Sequence, residues 1–386
     1  ELTVELATER GVTVDEAGFR EAMAEQRELS RAGSQQVTAT GASDALRELG
    51  AQHETAFVGY DHDELTSSII GLLRGEERVA SLQAGDNGAV VLRETPFYAE
   101  SGGQVGDTGV ISTDTGRFEV ADTQRPVPSI VVHYGIVREG FLEHATDAHA
   151  MIDSERRARI RRNHTATHLL HGALRETLGE HTHQAGSLVA PDRLRFDFTS
   201  LDPVGRERLR QIQQSVSTRV LQNLSVTAEV TSYQDAIDSG AIALFGEKYG
   251  DDVRVIAIDG YSRELCGGTH VNRTGEIGPF VITEESSVAS GVRRIEALTG
   301  EAAIEYLMDL QFTVRDLEHA LHASSDNLLD QVASLNERIR AYERQIEQLR
   351  VEMAANQVDT ILSDVLDVEG IRVAASVVEA PSRDVM

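Results

Sequence analysis

The sequence predicts an α+β protein with a small β-barrel domain, a second α+β domain and a C-terminal helical hairpin or coiled coil. Three observations support this class. Short β-rich runs broken by glycine fill residues 55–152, which is typical of a small barrel or sandwich. Helical and strand-like runs then mix over 153–299 without a regular βαβ alternation, which favours α+β. Residues 300–358 carry a heptad repeat, which predicts long helices.

The first elements along the chain are an amphipathic helix over 14–32 and a linker of small residues over 33–43. Strands are predicted in the barrel at 56–60, 88–92, 118–120 and 130–137. Helices are predicted at 153–178 and 203–223, the second beginning at Pro203 after the cap Asp202. Further strands are predicted at 195–198, 226–230, 253–258 and 280–283.

The C-terminal helices have two apolar seams. One seam repeats every seven residues at Leu307, Val314, Leu321, Leu328, Leu335, Tyr342 and Leu349. The second seam changes register at residues 324–327: it runs through Leu310 and Leu317 before them, and through Val332, Ile339, Ile346 and Met353 after them. Two self-associating helices with a break at 324–327 are therefore predicted. The alternative is an amphipathic helix that packs on its own domain.

The predicted boundaries follow these changes in pattern. The five segments are 1–43, 44–152 (barrel), 153–299 (second domain), 300–360 (oligomerisation helices) and 361–386. The last segment contains a strand-like run at 371–378 and is interpreted as the start of a further domain.

Composition limits the function classes. The chain has 36 basic and 63 acidic residues, with a formal net charge of −27. This excludes a binder that relies on a general basic field, so any RNA contact requires a local patch. Cys266 is the only cysteine, which excludes an intrachain disulfide and favours a reducing cytoplasm. No apolar run approaches the roughly 18 residues of a membrane span, so no membrane partner is expected.

Four side chains form a candidate metal site. His164 and His168 are four residues apart on a predicted helix, so both imidazoles lie on one face. Cys266 and His270 flank two glycines that permit a tight turn. Three imidazoles and a thiolate suit tetrahedral zinc. Each half alone has an ordinary alternative, a satisfied histidine pair or a buried cysteine. The HExxH glutamate and the second cysteine of zinc deaminases are absent.

These motifs carry a family resemblance. His-Thr-Ala-Thr-His (164–168) and Cys-Gly-Gly-Thr-His (266–270) resemble the editing-domain signature of alanyl- and threonyl-tRNA synthetases and free-standing alanyl editing proteins. The segments at 97–107, 186–188, 194–198, 243–250 and 293–297 resemble the alanyl branch. The resemblance implies a zinc-containing editing domain that hydrolyses Ser-tRNA(Ala) and Gly-tRNA(Ala). An alanine pocket discriminates only about 10–200-fold against glycine or serine, so a second, hydrolytic site is required.

The resemblance also implies roles for individual residues. His164, His168, Cys266 and His270 would hold zinc, which would polarise an attacking water or grip the substrate. Thr167 would offer a hydroxyl to the seryl side chain, and Gln184 would lie near the scissile ester. Their alternatives are a helix threonine bonded to a backbone carbonyl and a plain edge-strand residue.

Substrate binding is assigned to Gly102, Gly103, Arg162 and Arg293. The two glycines belong to a loop (101–107) without a nucleotide-binding pattern. Arginines form a candidate phosphate track for the acceptor end of tRNA(Ala). They are Arg156, Arg157, Arg159, Arg161, Arg162, Arg193, Arg195, Arg293 and Arg294. A solvated face paired with acidic residues is the alternative.

Three functions compete. Residues 1–32 resemble the end of a synthetase's tRNA-binding helical region, which favours part of a synthetase over a free-standing deacylase. A non-catalytic, zinc-stapled scaffold for the heptad helices is the third possibility. Because no ATP-binding signature is found, aminoacylation by this chain alone is not expected.

Overall fold

The computed structural model describes residues 43–243, 250–363, 366–368 and 370–373. The predicted helix over 14–32 and its linker up to residue 42 lie outside these ranges, as do residues 374–378 of the last strand-like run. The chain forms two compact units that meet in sequence at Ile304 and Glu305. The division of the first unit at residue 152 stays a prediction.

The helices and strands are numbered in chain order. The helices are α1 (Asp44–Gln52), α2 (Ser154–Leu178), α3 (Arg206–Leu221), α4 (Tyr233–Asp238), α5 (Gly300–Leu321) and α6 (Leu328–Ser363). The first ten strands are β1 (Ala56–Phe57), β2 (Glu64–Arg74), β3 (Glu77–Arg78), β4 (Ser81–Gln83), β5 (Asn87–Leu92), β6 (Glu94–Thr95), β7 (Gly109–Ser112), β8 (Gly116–Val127), β9 (Ile130–Glu143) and β10 (Asp147–Ile152). The others are β11 (Gln184–Val189), β12 (Leu194–Thr199), β13 (Val226–Ser232), β14 (Asp252–Ile258), β15 (Ser262–Leu265), β16 (Phe280–Ala289), β17 (Val292–Thr299), β18 (Leu366–Val368) and β19 (Ile371–Val373).

The predicted small β-barrel is confirmed. Its strands follow the antiparallel order β2-β5-β9-β8-β7-β10, and β10 pairs with β2 to close the cylinder. Leu72, Val90 and Phe118 are fully buried inside it. Closure removes the exposed edges that an open sheet of this size would present. Three of these six barrel strands, β2, β7 and β10, were not predicted from the sequence.

The α+β region after the barrel is also confirmed. Helix α2 packs on a four-stranded antiparallel sheet, β11-β12-β17-β16, and the buried Leu170, Phe196 and Ile295 join the two layers. A three-stranded sheet, β13-β14-β15, completes this region. Asp153 caps α2 by accepting a hydrogen bond from the backbone N–H of Arg156.

The predicted start of the second helix, at Pro203, is wrong. Helix α3 begins at Arg206, and its N-cap is Gly205 with a φ of 79°. Val204 is buried, and its backbone N–H lies 3.4 Å from the Glu285 carboxylate. Packing of this side chain therefore holds the chain in a non-helical path for three more residues.

The C-terminal unit contains the predicted break between two helices. The side chain of Asn327 accepts a hydrogen bond from the backbone N–H of Ser324 at 2.8 Å, between the end of α5 and the start of α6. Apolar heptad side chains remain about half exposed, including Leu310 at 45%, Ile339 at 52% and Leu349 at 50%. Apolar patches of this kind are typical of interaction surfaces, while self-association and the coiled coil stay predictions. Within the described ranges, no helix is both long and apolar enough to cross a bilayer.

A buried histidine makes the stability of the barrel depend on pH. His133 donates from Nδ1 to the Val90 carbonyl at 2.8 Å and accepts at Nε2 from the Thr95 hydroxyl at 2.7 Å. Burial, partly offset by the Val90 contact, lowers the pKa of His133 to about 4. As the pH falls, His133 therefore becomes protonated in the unfolded chain at a higher pH than in the folded chain. Between about pH 6.5 and 4, the free energy of unfolding should fall by up to about 1.4 kcal/mol per pH unit through this group.

Urea unfolding at several pH values tests this expectation. His133→Gln should flatten the profile below pH 6.5, and His62→Gln, at an exposed histidine before β2, should leave it unchanged. Equal slopes for the wild type and His133→Gln would show that His133 does not stay neutral in the fold.

Candidate metal centre

Four side chains from two elements converge in the α+β region that follows the barrel. His164 and His168 come from the middle of α2, and Cys266 and His270 come from the loop after β15. One potential ligand atom from each residue lies within 4.8 Å of all the others. Cys266 Sγ is 3.3 Å from both His164 Nε2 and His270 Nε2. Among the described residues, the buried His168 Nε2 has no hydrogen-bond partner.

The loop that carries Cys266 and His270 is held by contacts from several sides. The Arg254 guanidinium donates to the carbonyls of Cys266 and Gly268 at 3.0 and 2.8 Å, and the Tyr60 hydroxyl donates to the Gly267 carbonyl at 2.6 Å. Arg254 also lies 4.0 Å from the centre of the Tyr60 ring, within the range of a cation–π contact. These contacts preorganise the turn that carries Cys266.

Each imidazole has a separate acceptor at Nδ1. His164 Nδ1 is 2.7 Å from Gln104 Oε1, and His168 Nδ1 is 2.9 Å from Glu264 Oε2. His270 Nδ1 is 3.2 Å from the Thr165 hydroxyl, which donates its own hydrogen to the Arg161 carbonyl. A histidine that donates from Nδ1 in this way keeps Nε2 for a metal ion.

The electrostatics also suit a cation. Burial raises the pKa of the Cys266 thiol, but His164 and His270 outweigh burial and hold this pKa well below its ordinary value. Burial, followed by the neighbouring His164, lowers the pKa of His270 to about 3. The site therefore offers a thiolate and a neutral imidazole, which are the ligand forms of these groups.

His168 belongs to a buried pair with Glu264. Burial lowers the pKa of His168, but the Glu264 carboxylate outweighs this effect and raises it to about 10. Burial raises the pKa of Glu264, and His168 more than offsets it, so this pKa lies well below its ordinary value. The carboxylate thus stays ionised and orients the ring. In the metal-free site the pKa of His168 leaves a proton on its Nε2 as well, which a bound metal ion would replace.

The residues fit a zinc ion. Three imidazole nitrogens and one thiolate are ligand types that suit tetrahedral zinc, and the unpaired His168 Nε2 is a buried atom that such an ion would satisfy. If all four residues bind together, no fourth position stays open for water, as in structural zinc sites.

The two predicted catalytic residues lie in different surroundings. Thr167 is buried on α2, and its hydroxyl donates to the Asn163 carbonyl at 2.8 Å. This is the backbone bond weighed as the alternative for Thr167. Gln184 begins the edge strand β11, opposite Phe198. No hydrogen bond joins Gln184 to the metal ligands within the described part of the chain.

The predicted glycines form a tight loop between the barrel and β11. Gly102 and Gly103 have φ angles of 59° and 84°, which favour glycine. A Cβ on Gly103 would lie 2.6 Å from the Ser187 carbonyl oxygen. The Val189 N–H donates to the Gly103 carbonyl at 2.7 Å. The loop therefore packs closely against β11 in the α+β region that follows the barrel.

The predicted arginine track requires a correction. Arg157 is fully buried in an ion pair with Asp107 and donates to the Gly59 and Pro96 carbonyls, so it cannot contact RNA. Its position on the inner face of α2, against the barrel, could not be seen from the arginine run alone.

The two arginines assigned to substrate binding have acidic partners. Arg162 lies 3.6 Å from Glu301, and Arg293 pairs with Glu285. Several of the other arginines are also paired, with Glu301, Asp63, Asp192 and Asp197 as partners. The exposed pairs on α2 agree with the solvated-face alternative, whereas the side chains of Arg293 and Glu285 are only 14% and 10% exposed. Phosphate binding by Arg162 and Arg293 stays a proposal.

Three site residues were missed from the sequence. They are Gln104, Thr165 and Glu264, the Nδ1 partners of the ligands. Gln104 adjoins the glycines already singled out, and Glu264 is two residues before Cys266. A polar side chain next to a ligand motif was the available signal, but it does not reveal which histidine it contacts.

Two family models match parts of the chain. Residues 253–296 match the model of the threonyl and alanyl tRNA synthetase second additional domain, and residues 1–156 match that of the class II (A) tRNA synthetases. Both models describe aminoacyl-tRNA synthetases, and Cys266 and His270 lie within the matched range 253–296.

The relatives specify the family. The chain is 42% identical over 379 residues to the alanine–tRNA ligase of Thermoanaerobacter sp. (strain X514), covering 98% of this chain and 43% of the relative. It is 45% identical over 398 residues to that of Chloroflexus aurantiacus, covering 100% of this chain and 44% of the relative. The chain belongs to the alanyl-tRNA synthetase family and spans less than half the length of these relatives.

Proposed function

We propose that this chain is the editing part of an alanyl-tRNA synthetase, which hydrolyses the aminoacyl ester of Ser-tRNA(Ala) and Gly-tRNA(Ala) in a zinc-dependent site. The observation that carries the proposal is the convergence of His164, His168, Cys266 and His270 on one point. Cys266 and His270 lie within the segment that matches the second additional domain.

The chemistry needs a site that holds the substrate and admits water. With one position left open, bound zinc would supply a positive charge that grips or polarises the ester end of the substrate. With all four residues bound, it would instead hold the loop of Cys266 and His270 against α2. The oxygen of a water molecule adds to the ester carbonyl carbon, and the bond to the ribose oxygen breaks. The products are a free amino acid and a tRNA whose terminal hydroxyl has regained a proton.

Thr167 is the proposed selectivity residue. It lies three residues after His164 on α2, a spacing that places the two side chains on neighbouring positions of the helix surface. Its hydroxyl hydrogen is used in the bond to Asn163, so its oxygen is free to accept a hydrogen bond from a seryl hydroxyl. An alanyl methyl group offers no such hydrogen. Gln184 is the proposed polar partner of the ester.

The partners follow from this function. The mischarged acceptor end of tRNA(Ala) is the substrate, contacted by the loop of Gly102 and Gly103 and by Arg162 and Arg293. Self-association through 300–360 is supported by the exposed heptad face. The class II match over 1–156 favours part of a synthetase over a free-standing deacylase.

Deacylation of Ser-tRNA(Ala), with Ala-tRNA(Ala) as the comparison, tests the function. The purified chain should hydrolyse the seryl ester preferentially, and Cys266→Ala should lower the rate more than tenfold. Thr167→Val should reduce the preference for serine about tenfold, the value of one lost hydrogen bond.

Thr218→Val is the matched control. Thr218 also donates to a carbonyl four residues earlier in a helix, α3, but it is exposed on the surface. Its substitution should leave both rates unchanged. A folded, zinc-loaded chain without hydrolysis would instead support the scaffold alternative.

A further inference from the structure

One side chain connects the barrel to the metal centre. Gln104 is fully buried at the end of the glycine loop. Its Oε1 lies 2.7 Å from His164 Nδ1 and 2.9 Å from the backbone nitrogen of Thr269, and its Nε2 lies 3.0 Å from the Thr269 hydroxyl. A single amide thus contacts both elements that supply the ligands.

The contacts fix the orientation of this amide. The backbone N–H of Thr269 can only donate, so the atom that faces it must be the Gln104 carbonyl oxygen. The same oxygen then accepts from His164 Nδ1, which must carry the proton. The lone pair of His164 is left on Nε2, the atom that faces Cys266 Sγ at 3.3 Å.

The backbone of Gln104 is braced as well. Its N–H donates to the Ser101 carbonyl at 3.0 Å, and the Ser101 N–H donates back to the Gln104 carbonyl at 3.2 Å. On the next residue, the Val105 N–H donates to the Val189 carbonyl at 3.1 Å. The amide is therefore presented from a rigid loop that pairs with β11.

We propose that Gln104 is a positioning residue that selects the Nδ1–H tautomer of His164 and aims its Nε2 at the metal. The barrel loop then forms part of the metal centre. The consequence for deacylation rests on the function proposed above, while the consequence for metal binding does not. Acceptors of this kind contribute about 10–100-fold to metal affinity.

Two substitutions of similar shape distinguish the loss of the hydrogen-bond acceptor from a change in the volume of the side chain. Gln104→Met should lower zinc affinity about 10–100-fold and alter the visible absorption of the Co²⁺-substituted protein. Gln104→Glu keeps an acceptor oxygen for His164 and for Thr269, and should bind zinc at least as tightly as the wild type. Gln83→Met, at an exposed glutamine of β4, should change neither property.

Zinc competition with a chromophoric chelator and Co²⁺ spectra are the measurements. Wild-type affinity and an unchanged spectrum in Gln104→Met would overturn the proposal. If that variant does not fold, weaker zinc binding by Gln104→Glu than by the wild type would overturn it, and equal or tighter binding would support it. Slower deacylation with unaltered metal binding would also reject the positioning role.

The two proposals fail in different ways. Wild-type protein that binds zinc but does not hydrolyse Ser-tRNA(Ala) would remove the proposed function, and the metal measurements on Gln104 variants would still stand.

Discussion

Asp107→Asn should lower the free energy of unfolding of the first unit by about 3–5 kcal/mol, because it leaves a buried charge without its counterion. Arg157 and Asp107 are 0% and 1% exposed. The guanidinium also donates to the Gly59 and Pro96 carbonyls at 2.7 and 2.9 Å, but neither carbonyl neutralises its charge. The pair joins α2 to the barrel, so both should lose stability together.

Urea unfolding at pH 7, followed by far-ultraviolet circular dichroism, measures this loss. Glu119→Gln is the control, because it removes the exposed pair between Glu119 and Arg138 on the same barrel and should change little. The double variant Asp107→Asn with Arg157→Met should lose less than the sum of the single variants, since no unpaired charge remains. A loss in Asp107→Asn no larger than the control's would contradict the expected role of the pair.

Gly268→Ala should lower zinc affinity by about a hundredfold or more, as expected when one ligand leaves a structural zinc site. A Cβ at Gly268 would lie 2.0 Å from His164 Cε1, 2.4 Å from His164 Nδ1 and 2.9 Å from Gln104 Oε1. These separations are shorter than van der Waals contact. The imidazole must move away from its acceptor and from Cys266, and the ligand geometry is lost.

The neighbouring Gly267 supplies a matched control. A Cβ there would have no atom within 4 Å, so Gly267→Ala should bind zinc as the wild type does. Competition with a chelator gives both affinities, and unfolding of the metal-free proteins shows whether either change disturbs the fold. Equal zinc affinity in the two alanine variants would refute the steric argument.

The helices α2, α3, α5 and α6 and strands such as β5 and β12 were predictable because their patterns are local, whereas α1, β2 and β17 were not predicted. The heptad break at 324–327 was found from a change of register, and α2 was found from its apolar spacing. Strand β10 was missed because its inward residues include Ala148 and Ala150, and alanine is depleted in strands. Those positions are buried only because β10 pairs with both β2 and β7.

The metal ligands were predictable for the same reason, and their surroundings were not. A four-residue spacing on a helix and two glycines in a turn are short-range features. Gln104 is 60 residues from His164 and 165 residues from Thr269, and nothing local links them. The arginine run before His164 had the same limit, since its charge pattern does not distinguish the buried Arg157 from the exposed Arg159 or the half-buried Arg156.

The sequence by itself determined which side chains are available to bind a metal, the heptad seams and the family resemblance, because these depend on residue type and short-range spacing. Only the tertiary structure decided which atom each histidine turns to the metal, since Gln104, Glu264 and Thr165 reach Nδ1 from separate elements. It also decided that Arg157 forms a buried ion pair with Asp107. Burial and hydrogen-bond partners are set by packing between distant segments, which a linear pattern does not contain.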